Sequence, residues 1–393
     1  MNSNILNKDV QEFITNNLDT ELSKLILKGT TFNAVSTKEI IEQIEAKKKS
    51  KTKLPTWFSC QNIYYPNKLN IEQTSSEISA NYKSKLITGD SIIDITGGFG
   101  VDCFYFSKHF KSVTHCEVNK KLSQLVRHNY DQLECNHIKT ITANGLEHID
   151  SNKDYYDWIY IDPSRRHDSK GKVFFLKDCL PNIPLHLKNL FKYTKNIAIK
   201  TSPLLDFTIG IHELQCVKEI HVIAIKNEVK ELIWILEPDY KKGITVKTVN
   251  LNKHGENCFN FNLDEEAKSS SALSEPLDYL YEPNAAILKS GAFNTITTQF
   301  SIYKLHQHSH LYTSKKQIEF PGRSFVITHV IDYNKKAIKS LNLKQANITT
   351  RNFPETVKHI RKKFSISDGG NTYLFFTTNH LNSKQVLICK KLE

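Results

Sequence analysis

Apolar residues over the first fifty positions recur at intervals of three and four: Val10, Phe13, Ile14 and Leu18, then Leu22, Leu25 and Ile26. That spacing lays side chains along one face of a helix, and no run here has the two-residue period of a strand. Asp19 and Ser36-Thr37 offer side-chain oxygens for helix starts, and Lys47 to Lys53 reads as a basic linker. Around Leu54-Pro-Thr-Trp57 and Ile63-Tyr-Tyr-Pro66 the pattern is irregular, then helical again from Glu72-Gln-Thr-Ser-Ser-Glu77. The pattern predicts a helical module over residues 1–85.

From position 91 short β-branched and aromatic runs alternate with helical stretches. Strands are expected at 91–94, 113–117, 138–142, 158–161 and 197–200, and a hairpin at 219–225 and 231–236 around Lys226-Asn-Glu-Val-Lys230. Strands separated by helices imply a parallel, doubly wound sheet, and a closing hairpin implies an antiparallel edge. The expected fold class is therefore α/β, with a seven-stranded Rossmann-like sheet over 86–240. Past Pro238 a second hairpin (246–251 and 259–263), a linker (264–271) and a mixed segment around Tyr281-Glu-Pro-Asn-Ala-Ala286 make a small module over 241–318. A last α+β module over 319–393 opens at Phe320-Pro-Gly-Arg323, with strands at 324–330, 372–377 and 385–389 and helices at 334–341 and 354–364.

Composition narrows the classes. A chain of 393 residues exceeds one ordinary core. No segment has the roughly 18 successive apolar residues of a membrane span, and the start lacks the apolar core of a secretory signal, so a cytoplasmic protein is expected. Eight cysteines stand singly without a C-x-x-C pair, which signals neither zinc nor a disulfide framework. The net charge is +12, and residues 315–393 hold 15 Lys and Arg against 5 Asp and Glu. Such concentration suits nucleic acid, and also an ordinary solvated surface.

The chemistry sits at strand ends. Asp94 closes the first strand and is followed by Thr96, Gly97, Gly98, Gly100 and Asp102. The glycines let backbone press against a ligand where a helix begins. This is not the dinucleotide pattern G-x-G-x-x-G, because Cys103 stands where its third glycine belongs. A carboxylate at this place suits a cationic ligand better than a pyrophosphate. Glu117 ends the second strand, near the spacing at which an acidic residue meets ribose hydroxyls. Asn144 follows the third strand. Each of these two is equally readable as a helix cap. Asp162-Pro163-Ser164-Arg165 ends the fourth strand and reads either as a reactive turn or as a simple type I turn.

The loop Asp94-x-Thr96-x-Gly98-x-Gly100 resembles the first motif of class I methyltransferases that use S-adenosylmethionine. The whole chain is similar to a bacterial family of such enzymes with a helical N-terminus, a ferredoxin-like insert and a THUMP-like C-terminal domain. The motifs are Leu54-Pro-Thr-Trp57, Glu72-Gln-Thr-Ser-Ser-Glu77 with Tyr82-Lys83, Asp94 to Asp102, Asp162-Pro-Ser-Arg-Arg166, Phe320-Pro-Gly-Arg323 and Arg351-Asn-Phe-Pro354.

The resemblance implies that Asp94, Thr96, Gly97, Gly98, Gly100, Asp102, Glu117, Asn144 and Asp162 hold S-adenosylmethionine, and that Asp162, Pro163, Ser164 and Arg165 face the acceptor. Where the family motif reads Asp-Pro-Pro-Tyr it grips an exocyclic amine and stacks a base. Ser164 and Arg165 depart from it, although an arginine stacks on bases or holds phosphate. No cysteine stands after the fifth strand, where Lys200-Thr-Ser-Pro203 is found, which argues against a covalent carbon-5 mechanism. Lys200 and Ser202 either line the target pocket or, for the lysine, point to water.

THUMP modules bind RNA, so tRNA or rRNA is the implied partner, with phosphate contacts from Arg323, Arg351, Lys358, Arg361, Lys362 and Lys363. Phe353 is a stacking face or, more commonly before a proline, a core residue; Asp368-Gly-Gly370 reads as a hairpin turn. Two other readings stay open: a methyltransferase of proteins or small molecules, and a binding protein that has lost catalysis. No metal and no membrane are expected.

Overall fold

The computed structural model describes residues 1–165, 175–253 and 255–392. The chain forms two compact units, Met1–Val217 with Ile233–Tyr240, and Lys218–Leu232 with Lys241–Glu393.

The first unit opens with α1 (Lys8–Asn16), α2 (Leu22–Lys28) and α3 (Thr37–Lys53). Their apolar stripes bury Val10, Ile14, Leu25, Ile40 and Ile44 in one cluster. Ser36 and Glu39 close a capping box at the start of α3. The basic run 47–53 is the end of α3, not a linker: Lys favours helix, and Ala46 and Ser50 supply a buried inner face. Next come α4 (Pro55–Ser59), α5 (Lys68–Gln73) and α6 (Glu77–Leu86).

The parallel sheet holds β1 (Ser91–Asp94), β2 (Ser112–Cys116), β3 (Ile138–Ile141), β4 (Trp158–Ile161) and β7 (Ile197–Thr201). Two short strands, β5 (Ser164–Arg165) and β6 (Cys179–Leu180), pair separately. The spatial order is β7-β4-β1-β2-β3, with α7 (Val101–Phe106), α8 (Lys120–Gln132), α9 (Gly145–Asn152), α10 (Ile183–Leu190) and α11 (Phe207–Leu214) between strands. Every residue of β4 and β7 is buried, which explains their unbroken apolar reading. The chain runs outward from β1 to β3 and returns to β4 on the other side of β1. Ligands of such sheets lie outside the carboxyl ends at that reversal.

A strand pair, β8 (Val217–Ile225) and β9 (Glu228–Leu236), carries the chain from one unit into the other and back. Its turn is two residues long, shorter than the five expected, because Lys226 and Asn227 both take left-handed backbone at φ 51° and 64° and so match the twist of the arms. Within the first unit Ile233–Tyr240 includes Trp234, whose Nε1 donates to Thr201 Oγ1 on β7 at 2.9 Å.

In the second unit β10 (Thr245–Asn252) runs parallel to β8, and β11 (Gly255–Asn262) antiparallel to β10, two strands that were expected to form a hairpin of their own. The anticipated linker is α12 (Leu263–Lys268). A second sheet contains β12 (Tyr279–Pro283), β13 (Tyr303–Lys304), β14 (Tyr312–Ser314), β15 (Gly322–Asp332), β16 (Asn347–Arg351), β17 (Thr372–Thr378) and β18 (Lys384–Lys391), ordered β13-β14-β12-β15-β18-β17-β16. Its helices are α13 (Ala285–Ser290), α14 (Thr295–Phe300), α15 (Lys335–Ser340) and α16 (Val357–Phe364). Ile338 and Ile360 pack on Leu374, Phe376 and Val386, while Phe325, Phe375 and Leu387 fill a second cluster. Among the described residues no helix is long and apolar enough to cross a membrane.

Candidate active site

The loop after β1 is built by close approach. Gly97 lies against His115, where an added Cβ would fall 2.3 Å from Nε2, and Gly100 lies against Tyr130, 2.2 Å from the hydroxyl. Tyr130 fixes the loop by donating to the Gly100 carbonyl at 2.8 Å. Gly98 differs. Its φ is +54°, and an added Cβ would meet only the Thr96 carbonyl, at 3.7 Å, so it presents open backbone. Burial lowers the His115 pKa to about 4 and keeps the ring neutral; its Nε2 lies 3.3 Å from the Gly98 carbonyl.

Three carboxylates surround this loop. Asp94 Oδ1 accepts from the Thr96 amide at 2.8 Å and the Thr96 hydroxyl at 3.0 Å. The same hydroxyl accepts the Asp162 amide at 2.7 Å, tying the tips of β1 and β4 together. Burial, with Asp102 and Asp162 nearby, pushes the Asp94 pKa up to about 7 against the pull of its bonds from Thr96. Glu117, just past β2, accepts the Gly98 amide at 3.0 Å and the Asn119 amide at 2.6 Å. Burial nonetheless raises its pKa. Asn144 caps α9 by accepting the Leu146 amide at 3.0 Å. Gly145 beside it packs so tightly on Ile95 that a Cβ would fall 2.5 Å from the Ile95 carbonyl.

Asp102 looks the other way. Its carboxylate takes Lys83 Nζ at 2.8 Å, Ser75 Oγ at 2.9 Å and the Tyr160 hydroxyl at 3.0 Å. Lys83 is only 2% exposed and also reaches Ser75 at 2.6 Å. Burial would raise the Asp102 pKa, but Lys83 and Lys200 bring it below the usual carboxylate range. This buried group went unrecognised in sequence, although Ser75 and Lys83 lie within quoted motifs. The same segment anchors Glu77, which accepts the Thr56 amide and hydroxyl, both at 2.6 Å, and the Tyr105 hydroxyl at 2.7 Å.

Asp162 ends β4 and pairs with Lys200 of β7 at 2.5 Å. The lysine is 9% exposed, so it is not a solvated strand end; the Asp162 side chain keeps 35% of its surface open. Burial raises the Asp162 pKa, and Lys200 opposes that rise. Pro163 is buried and Ser164 exposed, its Oγ 3.4 Å from the Leu180 carbonyl. Arg165 pairs through its backbone with Cys179, and Arg166 lies outside the described residues. Ser202 turns inward on its own loop, accepting the Leu204 amide at 3.2 Å.

In the second unit the candidate phosphate contacts divide. Arg323 Nε donates to Glu282 Oε2 at 2.7 Å, and Arg351 meets Oε1 at 2.6 Å. Glu282 is 5% exposed, so both guanidiniums close over a buried acid. Arg361 donates to the Ala346 and Ile366 carbonyls at 3.1 and 3.3 Å and pairs with Asp368. Asp368-Gly-Gly370 therefore leads from α16 into β17 and is no hairpin turn. Lys363 donates to Tyr333 at 2.8 Å and Glu355 at 3.0 Å. Lys358 and Lys362, one helical turn apart on α16, are exposed. Phe353 belongs to the core, edge-on to Tyr333 at 4.9 Å and Phe376 at 5.6 Å. Among the described residues no group of His, Cys, Asp or Glu is placed to hold a metal ion.

Known proteins can be set against this geometry. A family model described as a ferredoxin-like domain matches residues 279–321, and one described as THUMP domain-like matches 322–391. A solved structure from Porphyromonas gingivalis W83, described as a candidate methyltransferase, is 30% identical over 100% of this chain and 99% of that one, with a TM-score of 0.87. The chain belongs to that methyltransferase family. In this chain an α/β methyltransferase fold is joined to ferredoxin-like and THUMP-like domains. Other solved structures are more distant. TrmK of M. capricolum with S-adenosyl-homocysteine is 21% identical over 42% of this chain and 69% of that one (TM-score 0.33), and the tRNA m1G37 methyltransferase of M. jannaschii 14% over 43% and 51% (0.30). No curated protein sequence matches the chain.

Proposed function

We propose that this family member transfers a methyl group from S-adenosylmethionine to a nucleotide of tRNA or rRNA. The observation that carries the reading is the open backbone of Gly98, held by Glu117 and flanked by the carboxylates of Asp94 and Asp162. That set fits the group: a bare loop for close contact, Glu117 for ribose hydroxyls, and negative charge for a cation. When bound, the donor supplies an electrophilic methyl on a sulfonium. Asp94, Thr96, Gly97, Gly98, Gly100, Glu117 and Asn144 would hold it, with Asp102 adding its charge beside Asp94. Asp162 orients the acceptor, in the turn completed by Pro163, Ser164 and Arg165. Placement of the reacting groups supplies much of the rate in such a displacement.

The THUMP-like match and the basic surface of α16 support RNA as the substrate. The accompanying domain division is helical 1–85, methyltransferase core 86–240, a strand extension with a small ferredoxin-like domain 241–318, and THUMP-like 319–393. Calorimetry with S-adenosyl-homocysteine should give a saturable heat, and Asp162→Asn should keep it while losing transfer of labelled methyl into RNA by about 100-fold or more. Absence of that heat for the unmodified protein would sink the reading.

A further inference from the structure

Lys200 is out of place for the strand that carries it. Ile197, Ala198 and Ile199 before it are buried and apolar, and a lysine desolvated among them is costly unless paired. It is paired, at 2.5 Å, with the acid that the site offers to the acceptor. It also lies close enough to Asp102 to lower the pKa of that acid, so the cation sits among the acids gathered at the strand tips.

The sign of the charge that develops on the acceptor decides what this pair suits. An exocyclic amine becomes positive as its nitrogen takes a methyl, and an adjacent ammonium opposes that. It also needs a free carboxylate for its N–H groups and a flat face for its base. One oxygen of Asp162 already faces Lys200, and the planar group at Arg165 is itself a cation in place of the aromatic ring. An acceptor that surrenders a proton and gathers negative charge on oxygen gains from both groups, because preorganised charge aimed at the developing charge lowers the barrier.

We infer that Asp162 and Lys200 form a charge-paired site for an acceptor that ionises with its charge on oxygen, either a ribose 2′-hydroxyl or the lactam edge of guanine or uracil, and not the amine of adenine or cytosine. This rests on the RNA reading above. The acceptor's proton passes to the Asp162 carboxylate and then to water. The freed electron pair, on the hydroxyl oxygen or the lactam nitrogen, forms the bond to the methyl carbon as the carbon–sulfur bond breaks, with that bond's electrons staying on sulfur. Lys200 acts through Asp162 and through its charge, as a positioning residue.

The test uses the full chain, deuterium-labelled methyl donor and total RNA from a strain lacking the gene, followed by digestion and mass spectrometry. A 2′-O-methyl nucleoside supports the hydroxyl arm, and a ring-nitrogen methylguanosine or methyluridine the lactam arm. Labelled N6-methyladenosine or N4-methylcytidine overturns the inference and leaves the RNA reading standing; no label in RNA overturns both. Lys200→Gln should lower kcat about 100-fold at unchanged S-adenosyl-homocysteine affinity, with partial recovery in Lys200→Arg. In protein free of the donor, the carbon-13 carboxyl titration of Asp162 should move to higher pH in Lys200→Gln, and the pH–rate profile should follow it. Unchanged kcat, or a titration that stays put, refutes the role given to Lys200.

Discussion

In the first unit Asp102 and Asp162 each take one lysine, whereas in the second Glu282 takes two arginines, one on each carboxylate oxygen. The Glu282 carboxylate has a guanidinium against each oxygen and is nearly sealed. Its arginines are held in fixed geometry by a buried charge, which is a structural task. Asp162 keeps open surface and one oxygen free of Lys200, and an acid left in that state can still do chemistry. A basic motif therefore declares its purpose only when the acid beneath it is known.

Breaking the Glu282 cluster should have the largest effect. Glu282→Ala leaves two guanidiniums without their acid; because each is a little over one-third exposed, we expect a loss of about 2 kcal/mol in chemical denaturation, below the roughly 3–5 of a sealed pair. A loss under about 0.5 kcal/mol would place the arginines among the surface charges after all.

Asp94 sharpens the comparison through pH. Its folded pKa of about 7 lies above the usual 3.8, so its stabilising contribution is complete below about pH 4 and disappears as pH rises through 7. Asp102, with a lowered pKa, works in the opposite sense and loses its contribution as pH falls. Asp94→Asn should therefore gain stability relative to the unmodified protein between pH 5 and pH 8. Thermal midpoints that fall in parallel for the two proteins would remove Asp94 from the linkage.

The smallest effect is expected where charges have no bonded partner among the described residues. Lys358→Ala with Lys362→Ala should change stability by less than about 0.5 kcal/mol and reduce the salt slope of RNA binding by roughly 1.4 to 1.8, the increment for two phosphates. An unchanged slope would move the RNA contact off α16.

Much of this was legible because it is periodic or local. The strand runs ending at Asp94 and Asp162 announce themselves by β-branching, and the glycines by type. Strand β16 was missed because Asn347-Ile-Thr-Thr-Arg351 has one apolar residue and no alternation. The α3 terminus was misread because seven polar positions gave no sign that Ser50 packs inward. Pairings across the chain leave no local trace: Lys83 with Asp102, Lys200 with Asp162 and Glu282 with its arginines join segments 19 to 69 residues apart. That is why the sequence left Lys200 open between the target pocket and water, and gave Arg351 as a phosphate contact with no sign of Glu282 beneath it.

The Thr96 hydroxyl has one hydrogen and gives it to Asp94, while its lone pair holds the Asp162 amide. Should Asp94 acquire a proton of its own, that hydrogen need no longer point toward it, and the backbone amide at the acceptor turn loses its fixed partner. Protonation at one strand tip thereby reaches the other through a single oxygen atom, which replacement of Thr96 by valine would remove.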